Sequence, residues 1–200
     1  MKIIGLCGQS GAGKTTALEI FKNEGFAVID CDEVSRFVTL ADSECVRELV
    51  DRFGNGILNP DKTLKRQALA DIVFSDSQSL ADLNKITHRH ILAEVFHRLD
   101  LFRENGFRVA VIDAPVLFES GLDKDCDTTL AICANLETRL SRIIERDGIS
   151  RERAEARVSR QLSDAELSCL ADHVIYNDSD LEEFYSEVLK YAKEIGERLE

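Results

Sequence analysis

The chain has 200 residues, enough for one domain that buries roughly 70% of its unfolded surface and needs no disulfides. Its formal net charge of −12 argues against a general nucleic-acid-binding protein, because that function needs a basic face. The six cysteines form no C-x-x-C pair, so we expect reduced thiols in the cytoplasm and no zinc site. No apolar run approaches the ~20 residues that span a bilayer, so we expect no membrane partner.

The first predicted element is a buried strand at about residues 2–7, which leads into a glycine-rich turn. The residues from Gly8 to Thr15 fit G-x-x-x-x-G-K-S/T, the P-loop pattern, in which backbone N–H groups surround phosphate oxygens. A helix with an apolar face follows, so the phosphates would lie at its N-terminus. Lys14 would reach the outer phosphates, and the Thr15 hydroxyl would bind Mg²⁺. The predicted ATP-binding residues are Gly8, Gly11, Ala12, Gly13, Lys14, Thr15 and Thr16.

The second predicted strand, at residues 26–30, ends beside two aspartates. Asp30 and Asp32 would lie at the carboxyl edge of a parallel sheet, where ligands bind in open α/β folds. A carboxylate there can accept the proton of an attacking hydroxyl. Either residue can instead cap the helix that follows. The two roles can be divided between the pair, and the sequence leaves the division open.

A polar, helical stretch separates this strand from the next one. At about residues 40–105 it is too long for one crossover, so we predict an inserted helical lobe. Turn signals near residues 54–56 and 59–61 divide it. His88 is a candidate ligand contact within the lobe, although a lone histidine is more often a packing residue.

The third predicted strand covers residues 107–113 and ends at Asp113. This aspartate is either a second Mg²⁺ ligand, as in P-loop enzymes, or a turn residue before Pro115. No D-x-x-G motif follows the strand, which disfavours a GTPase switch.

An arginine-rich window follows the fourth predicted strand, which covers residues 128–133. Transfer of a phosphoryl group needs positive charge and the exclusion of water, and guanidinium groups match phosphate geometry. We therefore interpret residues 146–165 as a lid. Any single arginine could instead belong to an exposed, ion-paired helix, because glutamates are interleaved. The window contains no lysine, and its arginines are Arg139, Arg142, Arg146, Arg151, Arg153, Arg157 and Arg160.

A fifth strand at about residues 172–176 precedes a final helix that begins near residue 180. Strands that alternate with helices imply a parallel sheet covered on both faces. We predict an α/β, three-layer P-loop NTPase fold with a five-stranded parallel sheet, in which residues 1–200 form one kinase domain.

Nearly the whole chain resembles the dephospho-coenzyme A kinase family. Many enzymes share the P-loop, but two segments are far more specific. Residues 115–119 resemble the family's P-L-L-F-E segment, and residues 171–177 resemble its A-D-x-V-I-x-N ending. Two departures are visible, since His88-Arg89 stands where the family usually has His-Pro, and Asp61-Lys62 stands where it usually has Asp-Gly.

The resemblance implies that ATP phosphorylates the ribose 3′-hydroxyl of dephospho-coenzyme A, the last step of coenzyme A synthesis, with Mg²⁺ as cofactor. It implies that Asp32 is the base or orients the hydroxyl, that Lys14 stabilises the transferring phosphoryl group, and that Arg146 faces the phosphates or the ATP base. Arg157 and Gln161 would belong to the lid of a monomeric enzyme. The implied acceptor contacts are Asp32, Arg36, His88, Pro115, Leu117, Phe118 and Glu119.

Two alternatives remain. One is another small P-loop kinase, which acts on a nucleoside monophosphate or a small metabolite. The other is a nucleotide-dependent regulator without transfer activity, which the paired aspartates and the lid arginines argue against.

Overall fold

The structure is a computed structural model, and it describes residues 1–178 and 180–197. Its strands are β1 (Lys2–Gly8), β2 (Ala27–Asp30), β3 (Val109–Asp113), β4 (Thr128–Cys133) and β5 (His173–Tyr176). Its helices are α1 (Lys14–Asn23), α2 (Cys31–Val38), α3 (Glu44–Phe53), α4 (Arg66–Val73), α5 (Ser77–Glu104), α6 (Leu136–Asp147), α7 (Arg151–Val158), α8 (Asp164–Leu170) and α9 (Leu181–Glu197).

The five strands form one sheet in the order β2-β3-β1-β4-β5, with β1 at its centre. β1 runs parallel to both β3 and β4, and β4 runs parallel to β5. Helices α1 and α9 pack against the sheet through Phe21 and Phe184, which are fully buried in the main core. The predicted α/β class with a parallel five-stranded sheet is confirmed.

β3 begins at Val109, two residues later than predicted. The N–H of Gly106 donates to the carbonyl of Arg103, and the N–H of Phe107 donates to that of Phe102. These bonds, with a φ of 79° at Gly106, close the C-terminus of α5, so residues 106–107 belong to the helix end and not to the strand.

The chain divides into two compact units, one formed by residues 1–29 with the residues from 102 onward, and one by residues 30–101. The second unit contains α2, α3, α4 and most of α5, around a small core of its own. That core includes Cys45, Leu49, Ile57, Leu69 and Val73. None of the helices that the structure describes combines the length and apolar character needed to cross a lipid bilayer.

Candidate active site

The P-loop between β1 and α1 has a backbone that only glycine tolerates at two positions. Gly11 and Gly13 have φ values of 80° and 105°. A Cβ atom at Gly11 would lie 2.7 Å from the carbonyl oxygen of Arg139, and one at Gly13 would lie 2.2 Å from Nδ2 of Asn177. Gly13 also occupies the N-cap position of α1 and supplies no side-chain cap. The N–H groups of the first turn of α1 are therefore available to an anion.

Three polar side chains donate hydrogen bonds to carbonyl groups of the P-loop and thereby hold its backbone in place. Nδ2 of Asn177 donates to the Ala12 carbonyl at 2.8 Å, and Nη1 of Arg142 donates to the Gly11 carbonyl at 3.2 Å. Nε of Arg139, a residue that is only 4% exposed, donates to the Ser10 carbonyl at 3.3 Å. Because these bonds are made to carbonyl groups, they fix the loop without using any of its N–H groups.

These braces were missed by reasoning from the sequence. The arginine-rich window predicts that Arg139 and Arg142 act with the lid, but in the structure they lie on α6 and support the P-loop backbone. The signal in the sequence is the A-D-x-V-I-x-N segment, which Asn177 closes.

The predicted phosphate and metal residues lie at the carboxyl ends of β1 and β3. Lys14 forms an ion pair with Asp113, and both side chains are largely shielded from solvent. Thr15 is exposed in the first turn of α1. Burial raises the pKa of the nearby Cys7 thiol to about 12, so this thiol stays neutral at physiological pH.

A cavity of about 120 Å³ adjoins the P-loop at this edge of the sheet. Its lining combines Gly8 with the predicted acceptor residues Pro115, Leu117, Phe118 and Glu119 and with the predicted lid residue Gln161. Leu117 is fully buried and also packs over Gly5, so it contributes to the core as well as to the cavity wall.

The end of the predicted lid contacts the P-loop directly. The Ser10 N–H donates to Oε1 of Gln161 at 3.0 Å, and Nε2 of Gln161 lies 3.3 Å from Oγ of Ser10. Nε2 of Gln9 donates to the Leu162 carbonyl at 2.9 Å. These bonds tie residues 161–162 to the loop that would hold the phosphates.

Three arginines of the predicted lid, Arg146, Arg151 and Arg157, are paired with carboxylates. Arg146 and Arg157 both bind Asp147, and the side-chain hydrogen bond from Arg146, followed by that from Arg157, lowers the pKa of Asp147 to about 2. Arg151 binds Glu137 and Glu155. The structure therefore agrees, for Arg151, with the alternative that this arginine belongs to an exposed, ion-paired helix.

The two aspartates at the junction of β2 and α2 have different surroundings. The carboxylate of Asp30 accepts hydrogen bonds from the N–H groups of Asp32, at 2.8 Å, and Glu33, at 3.1 Å, so Asp30 is the N-cap of α2. The Asp32 side chain is exposed, while its backbone carbonyl accepts from Nε of Arg36 at 3.1 Å. The carboxylate of Asp32 is thus the one that capping leaves accessible.

The two departures from the family pattern both lie within residues 30–101. His88 is half-buried within α5, and Arg89 forms an ion pair with Glu48. A proline at position 89 would lack the N–H that an uninterrupted helix uses there. Lys62 has a φ of 64°, a conformation that glycine adopts at no steric cost.

Comparisons with known proteins agree with this architecture. The family model described as dephospho-CoA kinase matches residues 2–183. A dephospho-CoA kinase of Corynebacterium glutamicum is 35% identical over 196 residues, which are 98% of each chain. One of Fusobacterium nucleatum is 37% identical over 193 residues, 96% of this chain and 98% of the relative. The solved dephospho-CoA kinase from Campylobacter jejuni has a TM-score of 0.73 and 27% identity, with 98% of each chain covered.

Proposed function

This chain belongs to the dephospho-CoA kinase family, and we propose that it transfers the γ-phosphoryl group of ATP to the ribose 3′-hydroxyl of dephospho-CoA. The products are coenzyme A and ADP. The observation that carries this proposal is the family match over residues 2–183, which includes the P-loop and the segments at residues 115–119 and 171–177. The braced P-loop supplies the phosphate site, and the adjoining cavity is lined by the P-L-L-F-E-like segment.

We propose that the P-loop residues from Gly8 to Thr16 bind the ATP phosphates and that Lys14 stabilises the transferring phosphoryl group. The uncapped N-terminus of α1 attracts anions. The hydroxyl of Thr15 and the carboxylate of Asp113 are oxygen ligands of the kind that Mg²⁺ prefers, so these two residues suit a Mg²⁺ site. Bound Mg²⁺ would supply positive charge to the phosphate oxygens.

We assign the role of base or hydroxyl-orienting group to Asp32. Its carboxylate is exposed, and the neighbouring cap role is performed by Asp30. An accessible carboxylate can accept the proton that leaves the 3′-hydroxyl as its oxygen attacks the phosphoryl group. Arg36, His88, Pro115, Leu117, Phe118 and Glu119 are the proposed acceptor contacts.

We propose that Arg146 and Arg157 turn toward the ATP phosphates or base when the lid closes, with Gln161 at the end of the lid. The Arg146 side chain is 60% exposed, so its ion pair with Asp147 is screened by water. Exposed pairs of this kind contribute little to stability, and a polyphosphate can displace them.

Acceptor-dependent release of ADP tests the proposed function. We expect release with dephospho-CoA that far exceeds release with nucleoside monophosphates, sugars or shikimate. Phosphorus NMR of the product should place the new phosphate on the 3′-oxygen. Preferential use of a nucleoside monophosphate would favour the alternative kinase, and ATP binding without any acceptor-dependent turnover would favour a regulator. Light scattering would test the further proposal of a monomer, and cell fractionation that of a cytoplasmic enzyme.

A further inference from the structure

The guanidinium group of Arg139, which braces the P-loop, is a positive charge buried in the protein. The Arg139 side chain is only 4% exposed, and its Nε donates to the Ser10 carbonyl at 3.3 Å. Burial lowers the pKa of this guanidinium, because water no longer stabilises its charge, and the carboxylate of Asp164 opposes that effect. A buried charge of this kind needs an opposite charge close by.

Asp164 supplies that opposite charge from the first residue of α8. Its Oδ1 lies 3.7 Å from Nη1 of Arg139, which is close enough for an ion pair but too far for a hydrogen bond. Within the described residues this Oδ1 is buried and has no hydrogen-bond partner, so the ion pair compensates for its removal from water. Asp164 is not needed as a helix cap, because Ser163 caps α8 and forms a capping box with Glu166.

Ser10 is the P-loop residue on which these contacts converge. Arg139 binds its carbonyl, while Oε1 of Gln161 accepts its N–H at 3.0 Å. Gln161 and Asp164 are three residues apart, so one short segment acts on Ser10 both directly and through Arg139. The peptide groups on either side of Ser10 are thereby fixed. A loop that is fixed before nucleotide binds loses less conformational freedom on binding.

We propose that Asp164 is a positioning residue for the ATP phosphates and that it acts on the P-loop through the guanidinium of Arg139. This inference rests on the proposed function, which supplies ATP as the nucleotide. The carboxylate keeps the guanidinium at the Ser10 carbonyl. Without the carboxylate, the buried charge would turn toward water and release that carbonyl, and ATP would have to order the loop at a cost in affinity.

The test is the Kd for ATP, measured by calorimetry without any acceptor and accompanied by thermal denaturation. Asp164→Asn keeps the size of the side chain and removes its charge, so we expect the Kd to rise about 10-fold or more. Asp164→Glu keeps a carboxylate that can still reach Nη1 of Arg139, so its Kd should stay within about 3-fold of that of the unaltered chain. Glu166→Gln is the matched control, because it removes a negative charge from the same first turn of α8, and its Kd should not change.

A double-mutant cycle tests whether Asp164 acts through Arg139. Arg139→Met should itself weaken ATP binding, and adding Asp164→Asn should then have no further effect on the Kd, because the charge that Asp164 holds is absent. Both of these proteins lack the buried charge, so they still provide the test where Asp164→Asn alone does not fold. A further loss of affinity on adding Asp164→Asn would overturn the inference.

A folded Asp164→Asn protein with an unaltered Kd would also overturn the inference, even where its melting temperature falls, because the carboxylate would then serve stability alone. So would an equal loss of affinity in Glu166→Gln or in Asp164→Glu. Absence of turnover with dephospho-CoA in the unaltered chain would instead contradict the proposed function, and it would leave the comparison of ATP affinities unaffected.

Discussion

The ammonium group of Lys14 and the carboxylate of Asp113 form an ion pair that links the first turn of α1 to the end of β3. The strand register explains the juxtaposition, since Leu6 of β1 lies opposite Asp113, and the P-loop begins two residues after Leu6. A polyphosphate that enters the P-loop would compete with Asp113 for the lysine charge. The pair therefore holds that charge at the site where the proposed transfer needs it.

Replacement of this lysine should abolish phosphoryl transfer while the fold survives. Removal of one donor that stabilises transition-state charge typically costs about 3–4 kcal/mol, so Lys14→Ala should reduce kcat about 100-fold or more. Lys22→Ala is the matched control, because Lys22 lies in the last turn of the same helix and is exposed. Turnover and thermal denaturation of both variants provide the measurement, and a folded Lys14→Ala protein with near-normal turnover would contradict the assignment.

The two aspartates at the junction of β2 and α2 should differ in their effects, with Asp32 affecting the rate of transfer and Asp30 affecting stability. Asp32→Asn should lower kcat by about 10²–10⁴-fold with little change in ATP affinity. Asp30→Ala should lower the free energy of unfolding by about 1 kcal/mol, because it removes the cap of α2. Steady-state kinetics and urea denaturation distinguish them. Full activity in Asp32→Asn combined with a catalytic defect in Asp30→Asn would reverse the two roles.

Substrates should slow hydrogen exchange in the lid, most strongly at residues 159–164. The inner side of α7 already packs on α6 through Ala154, which contacts a cluster with Leu140 and Ile143, so its amides are partly protected without ligand. Charge supplied by ATP and dephospho-CoA should stabilise the contacts that join residues 161–162 to the P-loop, so exchange in the segment after α7 should slow. Exchange is measured with and without both substrates, with the amides of β4 as the internal reference. Strong and equal protection in both states would show a fixed structural helix.

Glycine at position 62 should stabilise the protein. Lys62 has a φ of 64°, which strains any residue with a Cβ atom. Its ion pair with Asp42 is highly exposed and contributes little. Lys62→Gly should therefore raise the free energy of unfolding by up to about 1 kcal/mol.

Lys65→Gly is the control for this stability measurement. Lys65 has a φ of −80°, so glycine relieves no strain there, and the added freedom of the unfolded chain should lower stability by about 0.5–1 kcal/mol. Chemical denaturation of the two variants measures both effects. A Lys62→Gly protein as destabilised as Lys65→Gly would refute the strain argument.

The sheet was predictable because its strands are local features of the sequence. The apolar runs that end at Gly8, Asp113 and Cys133 each have the length of a buried strand and are followed by a turn or a helix start. The P-loop could be recognised for a similar reason, since its requirement for glycine is set by the backbone.

What the sequence could not supply is the set of contacts between distant segments. Arg142 and Arg146 are one helical turn apart in the same arginine-rich window, yet Arg142 binds the P-loop and Arg146 binds Asp147. Both residues are arginines in the same part of the sequence, so only the direction of each side chain in the folded chain distinguishes their roles. Asp30 and Asp32 present the same difficulty, because both are aspartates close enough to the start of α2 to be considered as its cap.

The hydrogen bond from Asn177 to the Ala12 carbonyl joins residues 165 positions apart. Translation produces the P-loop sequence long before the amide of Asn177, which fills the space beside Gly13. A nascent chain that ends before β5 therefore contains the P-loop sequence but lacks the hydrogen bond from Asn177 that holds the P-loop backbone. The ability to bind nucleotide should therefore arise only after β5 has been synthesised and has joined the sheet.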